Sequence, residues 1–386
     1  MVPLPRRRVT AIVLAAGFSR RMGSFKPLLP LGGATVLATV TQHLRAAGVT
    51  DISVVTGYHA EPLAAACARL GVRAVHNPDF EHGMFSSIAA GVAAQQADAD
   101  ACLLLPVDIP LVRPATLRQL LRYAEPPGAK IVYPAFLGQR GHPPRIHRDL
   151  FGAILEGERR ASRQGLRAVL AEHEAHAVNL PVYDQRILLD MDTPEDYQRL
   201  SALAATPDTP SAIECEAVAR GFGVDARVHS HMQRVAEVAE CLAQALTRAG
   251  VALHPDRIVA AALLHDILRK APHHAEAGAV AVGALGFTDV APLIACHMDM
   301  RFQGDAPDDA AIVFLADKLV AGDRLVSLET RFQPAFERFA AQPEALRGAR
   351  RRYDTACAIA AAACRLTRLS LPQLLSPLIE QEVSLP

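Results

Sequence analysis

The chain has 386 residues, and at about 150 residues per domain that length predicts two or three domains, more than one hydrophobic core normally accommodates. Forty basic side chains balance forty acidic ones, so there is no global electrostatic pull toward nucleic acid or an anionic membrane. Apolar residues make up 51% and charged ones 21%; that balance is ordinary for a soluble globular protein, and no stretch approaches the roughly 20 consecutive apolar residues of a membrane span. Seven cysteines, at positions 67, 102, 215, 241, 296, 357 and 364, are scattered without a CxxC pair, which predicts thiols in a reducing compartment and a cytoplasmic protein. Arg6, Arg7 and Arg8 precede the apolar run 9–17 and mimic a short signal peptide. The run reads better as a buried first strand, because it ends in a Gly-containing turn and two further arginines rather than a cleavage site.

From residue 9 to about 197, short apolar runs alternate with helical patterns, the signature of a mostly parallel sheet covered by helices. Strands are predicted at 9–15, 52–56, 72–76, 101–107 and 131–134, with 187–191 as a last one, and the first well-marked helix spans 36–47 and stops at Gly48. Residues 204–212 read AATPDTPSA, a linker that separates a first domain, 1–203, from a second, 213–386. Beyond it, 230–248, 256–268, 275–285, 310–328 and 351–366 are helical in pattern and strand-type runs are missing, so this half is predicted to be all-α. Residues 325–386 carry no motif and read as helices closing the second core.

The segment 14–26, LAAGFSRRMGSFK, directly follows the first predicted strand. Gly17 and Gly23 allow a phosphate to approach the backbone, while Arg20, Arg21 and Lys26 supply positive charge against a triphosphate. The order GxxxxGK[ST] is absent and GxGxxG does not match, so neither of those phosphate loops is present.

This loop resembles the nucleotidyltransferase superfamily, and more narrowly the molybdenum cofactor cytidylyltransferases. Further matches follow in order: Asn77-Pro78, GMFSSIAAG at 83–91, LLLPVDIPLV at 103–112, RGHPP at 140–144 and MDTPEDY at 191–197. The resemblance implies a Rossmann-like nucleotidyltransferase over about residues 9–200. It places Leu14, Ala15, Ala16 and Gly17 at the base, Arg21 and Lys26 at the phosphates, and Ser86 and Ser87 near the cytosine. Asp108 would hold Mg, with Asp192 as the second carboxylate, and Lys26 and Asp108 would be catalytic. LAAG rather than LAGG in the loop goes with CTP in this family. The implied partners are CTP and molybdenum cofactor, with a molybdenum hydroxylase apo-enzyme as a recipient, and neither nucleic acid nor membrane. The residues themselves agree: Asp108 follows a five-residue apolar run, which puts a lone carboxylate at the carboxyl end of a central strand, where open α/β sheets bind ligands. The alternative for Asp108 is a cap on the helix after 114, and for Asp192 a cap in the helix start Asp-Thr-Pro-Glu.

In the second half, seven histidines fall between His229 and His297. The doublet His265-Asp266 closes the apolar run 259–264, and two polar groups buried on a core-like helix need partners that a metal would supply. This region resembles the HD-domain metal-dependent phosphohydrolases over about residues 214–330. His231 in HMQRVA matches the opening motif, His265-Asp266 the doublet, and Asp317 in FLADKLV the closing aspartate. His274 in HAEAGA and His297 in IACHMD match the extra histidines of members that bind a second metal, closest to the branch that includes diadenosine polyphosphate hydrolases. The resemblance implies one or two divalent metals (Mn, Fe or Mg), with Asp266 catalytic and Lys270 and Arg324 on the substrate phosphate. His229, His254 and His273 read as ordinary hydrogen-bonded residues. A bifunctional enzyme is the expectation. A purely regulatory, nucleotide-sensing HD half, or a cofactor carrier, are the readings left beside it.

Overall fold

A computed structural model describes residues 8–95, 97–159 and 165–383. Arg6 and Arg7 lie outside them. The chain divides into two compact units, Met1–Pro207 and Asp208–Pro386, and the stretch between helices is short, since one helix runs through Ala205 and the next begins at Ala212.

The first unit carries strands β1 Val9–Leu14, β2 Pro30–Leu31, β3 Ala34–Thr35, β4 Ile52–Thr56, β5 Arg73–His76, β6 Ala101–Pro106, β7 Ile131–Phe136, β8 Gln139–Arg140, β9 Arg145–His147 and β10 Ala177–Pro181. Its helices are α1 Val36–Ala47, α2 Ala60–Leu70, α3 Met84–Ala93, α4 Pro114–Arg122, α5 Phe151–Arg159, α6 Gly165–Ala171 and α7 Pro194–Ala205. The main sheet has the order β10-β7-β9-β6-β1-β4-β5, with β8 on β7. It is Rossmann-like: β1 pairs in parallel with both β4 and β6, β9 runs antiparallel between β6 and β7, and β8 pairs antiparallel with β7. Strands covered on both faces read as unbroken apolar runs, and β6 is buried at every residue. The chain builds outward from β1 to β4 and β5, then returns to β6 on the other side of β1. The crevice at the carboxyl ends of β1 and β6 is therefore the switch point where such sheets bind ligands.

One predicted strand is corrected. Residues 187–191 do not pair in the sheet; Gln185–Leu188 is a 3-10 turn, and the edge position belongs to β10, beside β7. Asp184 explains the turn, because its buried carboxylate accepts from the Arg186 N–H at 3.1 Å and pairs with Arg113 at 2.6 Å. The Pro that ends β10 suits an edge strand.

The second unit is helical: α8 Ala212–Gly221, α9 Ala226–Arg248, α10 Pro255–Leu264, α11 His274–Ala284, α12 Ala291–Cys296, α13 Asp309–Lys318, α14 Leu328–Arg338, α15 Pro343–Thr367, α16 Leu371–Leu374 and α17 Ser376–Val383. The core is α9, α10 and α13, with α15 against α9 and α13. Two predicted helices are shorter than expected. The 256–268 helix ends at Leu264, where His265 and Asp266 leave the helix. The 310–328 helix ends at Lys318, and a hairpin of β11 Val320–Ala321 and β12 Arg324–Leu325 follows. Gly322, at φ 63°, makes that tight reversal possible.

Helix α3 lies directly on the sheet: a Cβ at Gly91 would sit 2.5 Å from Ile12 Cγ2 and 3.0 Å from Val55 Cγ2. Gly91→Ala is expected to destabilise the first unit by about 1–3 kcal/mol through overpacking. Urea unfolding reads this as a lowered midpoint, and an unchanged midpoint would show that the helix can lift without cost.

Candidate active sites

At the switch point of the first unit opens a cleft of about 340 Å³. The 14–19 turn forms its floor and is stitched to both neighbouring strands' loops: Val107 N donates to the Leu14 carbonyl at 3.0 Å and Tyr58 N to the Ala16 carbonyl at 3.1 Å. Ser19 has φ 55° and its Oγ accepts from the Lys26 N–H at 3.2 Å, which sets Lys26 at the cleft. The buried Lys26 ammonium donates to Asp192 Oδ1 at 2.7 Å and to Asp108 Oδ2 at 3.3 Å, and Arg21 pairs with Asp192 Oδ2 at 2.7 Å. Asp192 reaches this place because Met191 N donates to the Asp108 carbonyl at 2.8 Å. Met191 is fully buried, so in an extended segment its two neighbours, Asp190 and Asp192, share the opposite face. Burial raises the Asp190 pKa, and the charges of Asp192, Asp108 and Asp196 raise it further. Oxygen donors gathered around one lysine fit a hard divalent cation such as Mg.

The structure brings Leu14, Ala15, Ala16, Gly17, Lys26, Ser87 and Asp108 to the cleft wall. Ser86 is placed differently: its hydroxyl donates to the Asp79 carbonyl at 2.8 Å, and Asn77 Nδ2 donates to Ser86 and Ser87 at 2.9 and 3.0 Å. Ser86 braces the loop, and its hydroxyl is engaged on both counts. Neither aspartate is a helix cap. The N-cap of α4 is Arg113, and that of α7 is Thr193, in a capping box with Asp196.

In the second unit five of the six expected ligands stand at helix ends and one, His231, within α9. Three imidazoles are oriented in the same way. His265 Nδ1 lies 2.7 Å from the Ala262 carbonyl, His297 Nδ1 2.7 Å from the Ile294 carbonyl, and His231 Nδ1 2.8 Å from the Gly322 carbonyl. A carbonyl oxygen only accepts, so each Nδ1 carries the proton and each Nε2 is the atom turned to the carboxylates. Ala262 and Ile294 belong to the last turns of α10 and α12, where carbonyls run short of helical donors; the Ile294 carbonyl also accepts the His297 N–H at 3.3 Å.

The carboxylates are divided between the imidazoles. Asp317 Oδ1 lies 3.2 Å from His231 Nε2 and 3.7 Å from His265 Nε2. Asp266 Oδ2 lies 3.5 Å from His265 Nε2 and 3.8 Å from His231 Nε2. Its other oxygen, Oδ1, faces His274 Nε2 at 3.3 Å and His297 Nε2 at 3.6 Å. Donors held about 2.1 Å from one cation lie about 3.0–3.5 Å from each other, so this spacing suits one ion on each side of Asp266. The fit is sharpened by four buried atoms without a hydrogen-bond partner: Nε2 of His265, His274 and His297, and Oδ1 of Asp266. Imidazole and carboxylate together suit Mn, Fe or Zn, and to a lesser extent Mg.

Sequence reasoning missed the groups that aim the carboxylates. Lys318 takes Asp317 Oδ2 and also donates to the His297 carbonyl at 3.0 Å, and Arg269 takes Asp266 Oδ2. Lys270, expected at phosphate, instead pairs with Asp225 at 3.3 Å and is highly exposed. It lines a neighbouring pocket with His231 rather than the cavity lined by Asp266, His274, His297 and Asp317. Arg324 is exposed on β12. The cavity over Asp266, His274, His297 and Asp317, about 370 Å³, is lined by Arg269, Arg331 and Arg352. The available signal was adjacency to Asp317 for Lys318 and a spacing of three residues from Asp266 for Arg269; Arg331 and Arg352 come from helices without a motif. His229 and His254 hydrogen-bond to Glu216 and Asp309 and stand apart from the cluster.

Comparison with known proteins matches both halves. The MobA-like NTP transferase domain family matches residues 11–178 and the HD domain family residues 228–322. A molybdenum cofactor guanylyltransferase of Xanthomonas euvesicatoria pv. vesicatoria is 32% identical over 200 residues, 50% of this chain and 95% of that protein. The chain belongs to the MobA-like NTP transferases. It is a nucleotidyltransferase of that type with an HD domain fused to it. The molybdenum cofactor cytidylyltransferase of Escherichia coli is 28% identical over 190 residues, 49% of this chain and 93% of that protein. Nicotine blue oxidoreductase of Paenarthrobacter nicotinovorans is 30% identical over 202 residues, 50% of this chain and 96% of that protein. Overall likeness in the MobA-like half therefore does not single out one donor or acceptor. Among the described residues no helix is long and apolar enough to cross a membrane.

Burial alone would lower the His265 pKa, but the carboxylates of Asp266 and Asp317 outweigh it and push it up to about 10. With its Nδ1 proton anchored on a carbonyl, Nε2 is the atom that holds a proton at neutral pH in the metal-free HD domain, and an entering cation displaces that proton. Mn uptake at pH 7 is expected to release protons, with apparent affinity rising with pH. Calorimetry in buffers of different ionisation enthalpy measures the release, and uptake without it would contradict the arrangement.

Proposed function

We propose that the chain is a bifunctional enzyme: its MobA-like half transfers CMP from CTP to molybdenum cofactor, and its HD half is a metal-dependent phosphohydrolase. The observation that carries the first assignment is Lys26 held between Asp108 and Asp192 at the mouth of a cleft floored by the 14–17 turn. The names of two relatives, a cytidylyltransferase and a guanylyltransferase of molybdenum cofactor, support the acceptor. A terminal phosphate oxygen of the cofactor would attack the α-phosphorus of CTP, and the bond to the β-phosphate oxygen would break, releasing pyrophosphate. Such a transfer needs positioning and charge neutralisation rather than a side-chain nucleophile. Asp108 and Asp192 would hold Mg, which when bound neutralises phosphate charge. Lys26 and Arg21 would take the triphosphate, and the Leu14–Gly17 backbone and Ser87 the base.

CTP is favoured as donor by the residue at position 16. Ala16 is buried beside Gly57, where an added Cβ would lie 3.0 Å from the Ala16 methyl and 2.5 Å from Phe80. Ala16 is the third residue of the LAAG turn that lines the cleft, and LAAG is the form of this turn that goes with CTP in the family resembled. For the HD half, Asp266 between two pairs of imidazoles supports hydrolysis of a phosphoester or phosphoanhydride, because two cations flanking one carboxylate can stabilise both attacking and leaving oxygens. Seven free thiols support a reducing compartment, the cytoplasm, and transfer of the product to a molybdenum hydroxylase apo-enzyme is part of the same reading.

Asp108→Asn is expected to abolish nucleotidyl transfer and leave metal-dependent hydrolysis intact, since the two sites belong to separate compact units with no shared residues. Parallel assays decide it, and normal transfer by the mutant would remove Asp108 from the metal site. CTP should exceed GTP in kcat/KM by at least roughly tenfold, about 1.4 kcal/mol. Equal use of the two would reject the cytidylyl assignment.

A further inference from the structure

The HD domain match ends at residue 322, yet the cavity over the metal cluster is closed by residues beyond it. Arg331 and Phe332 come from α14, and Arg352 from α15. Arg331 Nε is buried and has no hydrogen-bond partner. Among the described residues, neither the Arg331 nor the Arg352 guanidinium is paired with a carboxylate. This differs from the other two cations of the cavity, Arg269 and Lys318, which are bound to Asp266 and Asp317. The helices therefore bring two unmatched guanidiniums to a site where the two carboxylates are already balanced by two cations.

That surplus has a chemical consequence. A guanidinium left without an anion in a partly buried site has a planar fork of donors suited to phosphate oxygens. With divalent ions at the cluster the positive excess grows, so the cavity is matched by an anion carrying more charge than one phosphomonoester. Its volume of about 370 Å³ is in the range of small-molecule sites, about 300–1,000 Å³.

We propose that Arg331 and Arg352 form a clamp for the non-scissile phosphates of the substrate, which makes the HD half selective for phosphoanhydrides with at least two linked phosphates over phosphomonoesters. This rests on the hydrolase reading of the HD half. In the reaction a water oxygen forms the new bond to the phosphorus at the cluster, the anhydride P–O bond breaks, and the clamped phosphate leaves and takes up the proton. No redox partner is required. Arg331 and Arg352 touch the leaving portion of the substrate, and the residues at Asp266 face the phosphorus attacked.

The test uses the full chain loaded with Mn, with inorganic tripolyphosphate as the anhydride probe and p-nitrophenyl phosphate as the monoester probe. Arg331→Gln and Arg352→Gln are each expected to lower kcat/KM for tripolyphosphate by about 10- to 100-fold, the size of a lost charged hydrogen bond. The loss should fall mainly on KM, with Mn content and the slower monoester rate unchanged. Parent-like turnover of tripolyphosphate by both variants, or an equal fall on both probes, would overturn the clamp. If the parent chain hydrolyses neither probe, the hydrolase reading fails, and the clamp is then decided by calorimetric binding of tripolyphosphate to the Mn-loaded protein. Weaker binding by both variants supports it, and binding equal to the parent overturns it.

Discussion

The HD half depends on where three imidazole protons are held. A histidine ligand works only if the correct nitrogen keeps its lone pair free, and a buried ring left to itself has no reason to choose. Here the choice is made by backbone carbonyls. Two lie in the last turns of α10 and α12, and the third is Gly322 in the β11–β12 hairpin. The breaks in the helices, at Leu264, Cys296 and Lys318, are thus part of the site. A helix continued past 265 would have engaged the Ala262 carbonyl with the Asp266 N–H.

The two halves meet the same electrostatic problem with different means. In the MobA-like half, carboxylates at the end of a sheet are partly open to solvent and are matched in the structure by Lys26 and Arg21. In the HD half, Asp266 and Asp317 are almost fully enclosed, and unpaired burial of such charges is costly. Burial by itself would raise the Asp317 pKa, but Lys318, His231 and His265 outweigh it and hold the carboxyl well below its ordinary range. The carboxylate stays charged and ready for a cation.

Much of this was legible in the sequence because the motif residues lie at strand and helix ends, where hydrophobic runs stop abruptly. The run before Asp108 and the run before His265 both mark a place where a buried element releases a polar side chain, and the structure brings each expected ligand of the HD half into one cluster. What escaped has physical causes. Strand β10, AVNLP, carries Asn179 and ends in Pro181, so it gave no unbroken apolar signal. Asp190 needed the extended geometry of 190–192 to be seen as the partner of Asp192. The choice between Lys270 and Arg269, one residue apart, turns on the helical rotation after Leu264, which spacing alone does not supply. Arg331 and Arg352 are distant in sequence from every ligand, and only the packing of α14 and α15 brings them over the cluster.

The central claim is that Asp266 stands between two cation sites formed by the Nε2 atoms around it. Diffraction from crystals grown with Mn, recorded at the manganese absorption edge, tests it most directly. The account predicts two anomalous peaks, one among His231, His265, Asp266 and Asp317 and one among Asp266, His274 and His297. An absence of anomalous density within reach of these Nε2 atoms at saturating Mn would contradict it.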